Sequence, residues 1–173
     1  MNWNDNRPVD PQLLEQLLNE QSAALELFAA QWTNVPEDCV QQAFLELVRR
    51  RKPLNNAVAW LYRVVRNRAI SAARSEQRQR KHESAAAGLG KTWFEPARQG
   101  VVDEQSLTEA LGSLDEKQRE VIVARIWGGL SFEQIGQVVG ASTSSAHRRY
   151  EAGLTSLRER LGLSWLTENQ TTC

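Results

Sequence analysis

Cysteine is scarce in this sequence: Cys39 and Cys173 are the only two among 173 residues. Neither sits in a CxxC spacing, so neither a zinc site nor a redox pair is indicated. Histidine is equally rare. His82 and His147 lie far apart in basic company, and no glycine-rich phosphate loop or metal-ligand spacing accompanies them. The sequence therefore reads as that of a non-enzyme with no cofactor. No apolar run approaches the length needed to cross a membrane. The start, MNWNDNRPVD, lacks the apolar stretch of a secretory signal. These absences place the chain, as an expectation, in the cytoplasm. Strand signals are sparse too, with little apolar–polar alternation and no Asn-Gly or Asp-Gly hairpin turn.

Net charge is also missing, since the formal total is zero at pH 7. Its distribution is uneven. Residues 1–48 carry Asp5, Asp10, Glu15, Glu20, Glu26, Glu37, Asp38 and Glu46 against Arg7 alone. Residues 49–82 reverse this, with Arg49, Arg50, Arg51, Lys52, Arg63, Arg66, Arg68, Arg74, Arg78, Arg80 and Lys81 against Glu76. Solvated helix faces often carry charge runs, but a run this one-sided suits a surface that meets a polyanion.

What the sequence has in quantity is helical periodicity. Leu13, Leu14, Leu17, Leu18, Leu25, Leu27 and Phe28 fall at helical spacings. Pro36, Glu37 and Asp38 read as a helix start, because proline fits the first turn and acids favour the positive end of the helix dipole. Pro53 ends that segment. Asn55 or Asn56 can cap the next one, in which Trp60, Leu61, Val64, Val65 and Ile70 lead into a basic continuation. Trp60 is a candidate base-stacking platform, although its spacing with Leu61 and Val64 favours a place in the core. Gly88, Gly90, Pro96 and Gly100 then break the period and mark a linker. Trp93 and Phe94 inside it either dock on a partner or fold back on a domain.

Helices resume at Leu107 and continue through Val121, Ile122 and Ile126 to Gly128 and Gly129. The strongest local signal follows. Ser131 and Gln134 match a capping box, Gly140 suits a left-handed turn, and Ser142 is a natural cap for a further helix. A short helix, a glycine turn and a second helix basic near its start form a helix-turn-helix, whose second helix enters the DNA major groove. Arg148 and Arg149 suit guanine edges or phosphates, and Ser144 and Ser145 permit close approach. Glu151 and Gly153 run against the pattern, one by its charge and the other by its helix propensity.

A helix-turn-helix alone fits many regulators. PEDCVQQAFLELVRR (36–50) with NAVAWLYRVVRNRAISAARSEQRQRK (56–81) resembles region two of extracytoplasmic-function (ECF) RNA polymerase sigma factors. SLDEKQREVIVARIWGGLSFEQIGQVVGAS (113–142) resembles region four of the same family. The resemblance implies an all-α fold of two small helical domains, a region-two bundle and a region-four helix-turn-helix, joined by a flexible linker. It sets the domains at 10–83 and 105–163, with a linker at 84–104 and a tail at 164–173.

It also implies a bacterial factor that binds RNA polymerase core, recognises promoter DNA and promotes strand opening. Asp38, Gln41, Gln42, Phe44 and Leu45 would meet the polymerase clamp helices. Residues 51–58 would capture a flipped base. Arg63, Arg66, Asn67, Arg68 and Arg74 would hold the non-template strand, in keeping with the basic grooves that bind single strands. Ser144, Ser145, His147, Arg148 and Arg149 would read the minus-thirty-five element, with the other face of that domain on the polymerase flap. An anti-sigma factor is a candidate further partner. Ser71 stands where the family commonly has Asp, which touches promoter sequence more than role. The competing reading is a stand-alone helix-turn-helix regulator, which requires a sensing or dimerisation domain where residues 36–81 present a basic surface.

Overall fold

The computed structural model describes residues 9–83 and 104–162, which form seven α-helices and, among these residues, no strand. Trp93 and Phe94 lie outside the described residues. Helix α1 spans Pro11–Ala29, α2 Pro36–Arg49 and α3 Ala57–Glu83. Helices α4 (Glu104–Gly112), α5 (Glu116–Ile126), α6 (Phe132–Val139) and α7 (Thr143–Arg160) follow.

The helix starts obey local chemistry. Asp10 accepts a hydrogen bond from the Gln12 N–H at 3.3 Å, with Pro11 at the first helical position. Helix α2 has no side-chain cap and starts on Pro36, Glu37 and Asp38, whose charges suit the dipole. Asn56, not Asn55, caps α3 by accepting from the Ala59 N–H at 2.8 Å. Asp115 caps α5. Ser131 and Gln134 complete the capping box of α6 in both directions, and Gly140 ends that helix at φ 69°.

Helices α1, α2 and α3 pack on one another around Leu25, Phe28, Ala43, Leu47, Leu61, Tyr62 and Val65. Phe28 anchors this core, with ring centroids 5.3 Å from Trp32 and 5.0 Å from Tyr62. A second, smaller cluster joins α4, α5 and α7 through Ala110, Leu111, Leu114, Ile122 and Leu157. The main core does not stop at the first bundle. It continues through Val121, Val123, Ala124, Leu130, Ile135 and Val138, because α6 packs on α3 and α5 on α1. The two helical halves thus share one apolar interior.

Gly153 acquires a structural reason that its helix propensity conceals. A Cβ there would lie 2.6 Å from Ile122 Cδ1 and 3.3 Å from Gln118 Cβ, so its absence lets α7 approach α5 closely. Ile122 is fully buried and has little room to yield. Gly153→Val is expected to destabilise the fold by roughly 1–3 kcal/mol through overpacking. Urea unfolding followed by circular dichroism would measure it, and an unchanged midpoint would contradict the close crossing.

Candidate nucleic-acid interface

The start of α7 is assembled by its cap. Ser142 accepts from the Ser145 N–H at 3.2 Å and donates to the Ser145 hydroxyl at 2.9 Å. Ser145 in turn accepts from the Arg148 guanidinium at 3.4 Å. Ser144, His147 and Arg148 are exposed, while Ser145 and Arg149 are half-buried. The open end of the helix, with its free N–H groups and basic side chains, favours anionic phosphate oxygens. Arg148, Arg149 and Ser145 also line a shallow recess of about 430 Å³ with Asp115, Lys117 and Gln118.

The site rests on α6. Phe132 meets His147 edge-on at 4.9 Å and Tyr150 at 5.3 Å, which fixes the angle between the two helices of the motif. Arg125 covers the other side of Phe132 at 4.9 Å and donates to the Leu130 carbonyl at 2.8 Å. Glu151 is exposed, with its carboxylate 3.8 Å from His147 Nε2. The acid that looked misplaced in a DNA-reading helix therefore sits beside a histidine one turn earlier.

On α3 the five residues expected to hold single-stranded DNA divide into two groups. Arg63, Asn67 and Arg74 are exposed. Arg68 is engaged with Glu46 of α2, and Arg66 with Glu120 of α5. Arg66 also lies over the Trp32 ring at 5.8 Å, and the Trp32 indole donates to Glu116 at 3.1 Å. Trp60 is half-buried against the core, with Arg50 over its ring at 5.4 Å. It is a packing residue with one face near the surface.

Glu120, Glu116 and Trp32 are participants that the sequence reading missed. Glu120 is 2% exposed, within a fully buried run of Val121, Ile122, Val123 and Ala124. A signal existed, because Glu120 and Ala124 are one turn apart and share a face. Its carboxyl is pushed up from the ordinary carboxylate range by burial, and Arg66 offsets this only in part.

The acidic surface lies on the other side of the first bundle. Leu14, Leu18, Val40, Phe44, Leu45 and Val48 line an apolar groove of about 470 Å³, rimmed by Glu26, Glu37, Asp38 and Gln41. Asp38, Gln41, Gln42 and Leu45 are exposed, whereas Phe44 is largely buried and forms the floor. Burial and the nearby Glu37 raise the Glu26 carboxyl. Among the described residues, no group of three or more His, Cys, Asp or Glu could hold a metal ion. No helix there is long and apolar enough to cross a membrane.

A basic helix, a capped helix-turn-helix and an acidic apolar groove stand on one chain, and known proteins resemble it in both halves. Residues 23–79 match the family described as Sigma-70 region 2, and residues 110–159 match Sigma-70, region 4. The RNA polymerase sigma factor CarQ of Myxococcus xanthus is 34% identical over 134 residues, covering 73% of this chain and 74% of that protein. The chain belongs to the RNA polymerase sigma factors.

Its relatives point to the ECF group. The ECF sigma factor SigK of Mycobacterium tuberculosis is 29% identical over 145 residues, covering 76% of this chain and 75% of that one. The sigma factor RpoE of Bartonella quintana, solved with the anti-sigma factor NepR, superposes with a TM-score of 0.72 and 26% identity. That match covers 87% of this chain and 97% of RpoE. CnrH, solved with the cytosolic domain of CnrY, shares the fold at a TM-score of 0.58 and 20% identity, over 90% of this sigma factor and 91% of CnrH. The reading as a stand-alone regulator is not favoured, and no catalytic activity is indicated.

The raised carboxyl of Glu120 carries a stability consequence for this sigma factor. The folded chain holds that proton more tightly than the unfolded chain, so Glu120 takes away stability as pH rises from about 4 upward. Glu120→Gln has no such proton to release. Its unfolding free energy relative to the parent is expected to shift in the variant's favour across that window, as denaturant titrations at several pH values would show. A difference independent of pH would mean that the carboxyl is not raised.

Proposed function

We propose that this ECF sigma factor binds RNA polymerase core through the α1–α2 groove, holds the melted non-template strand on α3 and reads the minus-thirty-five element with α7. The observation that carries the reading is the pairing of two sigma regions in order on one chain. Asp38, Gln41 and Leu45 line the groove around the apolar floor made by Phe44, with Gln42 exposed on the same helix, the form expected of a docking site for an amphipathic helical partner such as the clamp helices. Arg63, Arg66, Asn67, Arg68 and Arg74 supply phosphate contacts along the strand. Ser144, Ser145, His147, Arg148 and Arg149 supply phosphate and base-edge contacts in the groove.

The functional units on this reading are residues 10–83 and 105–163, with 84–104 as the connecting linker. The site of action is the bacterial cytoplasm. RpoE was solved with an anti-sigma factor, which supports one as a further partner here.

Run-off transcription with purified core tests the proposal, with initiation expected only when the chain is present. Tight duplex binding by the isolated chain, without initiation, would overturn it in favour of a stand-alone regulator. Arg148→Ala is expected to weaken promoter binding by the holoenzyme by about 1–3 kcal/mol while leaving core copurification intact. Leu45→Asp is expected to do the reverse, abolishing copurification with core while the isolated chain keeps its helical circular dichroism. Transcription unaffected by either change would remove the corresponding surface from the assignment.

A further inference from the structure

Glu151 is the one acid among residues 143–152 of α7, and its place on the helix gives that charge a use. Helix α7 turns Ala146, Gly153 and Leu157 inward, where they are buried. Its opposite side is an exposed stripe of Ser144, His147, Arg148 and Glu151, the last three offset from Ser144 by three, four and seven residues. At about 1.5 Å of rise per residue, Ser144 and Glu151 stand about 10 Å apart along the axis. Successive bases lie about 3.4 Å apart, so the stripe reaches across roughly three base pairs.

The Glu151 carboxylate is open to a further contact. Its side chain is 58% exposed, and the His147 Nε2 beside it lies at 3.8 Å, beyond hydrogen-bond range. The His147 ring is itself held edge-on to Phe132 at 4.9 Å, so it limits the swing of the carboxylate on its N-terminal side. Arg148, three residues before Glu151, is exposed and donates to the Ser145 hydroxyl at 3.4 Å. The stripe therefore presents a forked donor and, one turn later, a pure acceptor.

A pure acceptor has few partners on DNA. Phosphate oxygens repel it. In the major groove guanine shows the acceptors N7 and O6, and thymine shows O4 and a methyl group. Adenine shows its N6 donor beside the N7 acceptor, whose lone pair opposes the second carboxylate oxygen. Cytosine shows the N4 amino donor with no acceptor beside it. We propose that Glu151 is a specificity-determining residue, accepting a hydrogen bond from the N4 amino group of a cytosine in the minus-thirty-five element, on a base pair neighbouring the one that Arg148 contacts. This role rests on the function proposed above. A charge that weakens binding to DNA in general then makes binding selective, because any other base leaves the carboxylate set against an acceptor.

Holoenzyme assembled from polymerase core and the full-length chain tests this on a promoter library with the minus-thirty-five element randomised, read by sequencing the initiated transcripts. The parent is expected to enrich cytosine about tenfold at one position. Glu151→Gln is expected to move the preference there to adenine, whose N6 and N7 suit an amide, and to leave the other positions as they were. Glu151→Ala is expected to flatten that position alone. Base preferences in Glu151→Ala that match the parent at every position overturn the proposal. A rise in initiation in Glu151→Ala that is equal for all sequences overturns it too, since the carboxylate then acts only by repelling phosphates.

If the parent chain initiates on no promoter, the sigma function falls, and the cytosine contact is judged separately. Duplexes from the same library are then selected on the immobilised full-length chain, parent and Glu151→Ala side by side. Cytosine enriched at one position by the parent and not by the variant supports the contact. Equal base content in the two selections overturns it.

Discussion

Helix α3 has one apolar stripe, and both halves of the molecule depend on it. Leu61, Tyr62, Val65 and Ala69 are buried along its length, and the same helix packs on α1, α2 and α6. Burial of apolar surface is non-directional and scales with area, so a stripe long enough to cover the first bundle draws the second onto its remaining surface. The three-helix core around Phe28 and the shared interior reaching Ile135 are consequences of that one helix. Its basic face is what remains outside.

Charge follows from this arrangement. Arginines on a helix with a committed apolar side must lie at its flanks or on its open face, and the two positions behave differently. Arg68 and Arg66 lie at the flanks and meet Glu46 and Glu120, whereas Arg63, Asn67 and Arg74 stay open to solvent. The exposed Arg68–Glu46 pair contributes little, as surface pairs do. The Arg66–Glu120 pair joins a buried carboxyl to a half-buried guanidinium, so it acts on specificity of packing more than on net stability. The recognition helix shows the same economy. Glu151 is set beside His147, and Gly153 is the point where α7 crosses α5.

Much of the fold was legible because its cues are local. The Ser131–Gln134 box, the Gly140 turn, the Ser142 cap and the Pro36 start all act within a few residues, and each occurs where the pattern places it. The resemblance to sigma regions two and four was carried by contiguous stretches and holds in the comparisons. Gly153 was harder, since a helix-propensity argument sees only a cost and the compensating contact is with Ile122, some thirty residues away. Glu120 was harder still. Its spacing shows that it faces inward, but nothing near it in sequence names Arg66 as its partner.

By itself the sequence determined the helices, their caps, the basic character of α3, the helix-turn-helix and membership of the sigma factors. These depend on hydrogen bonds, backbone preferences and side-chain spacing over a turn or two, which neighbouring residues settle among themselves. Only the tertiary structure decided which arginines are open and which are held, and that the two regions close on each other over Trp32, Arg66 and Glu120. Residues 54 apart meet there because apolar burial brings their helices together. Burial is non-directional, and carries no mark of its partner until the chain has folded.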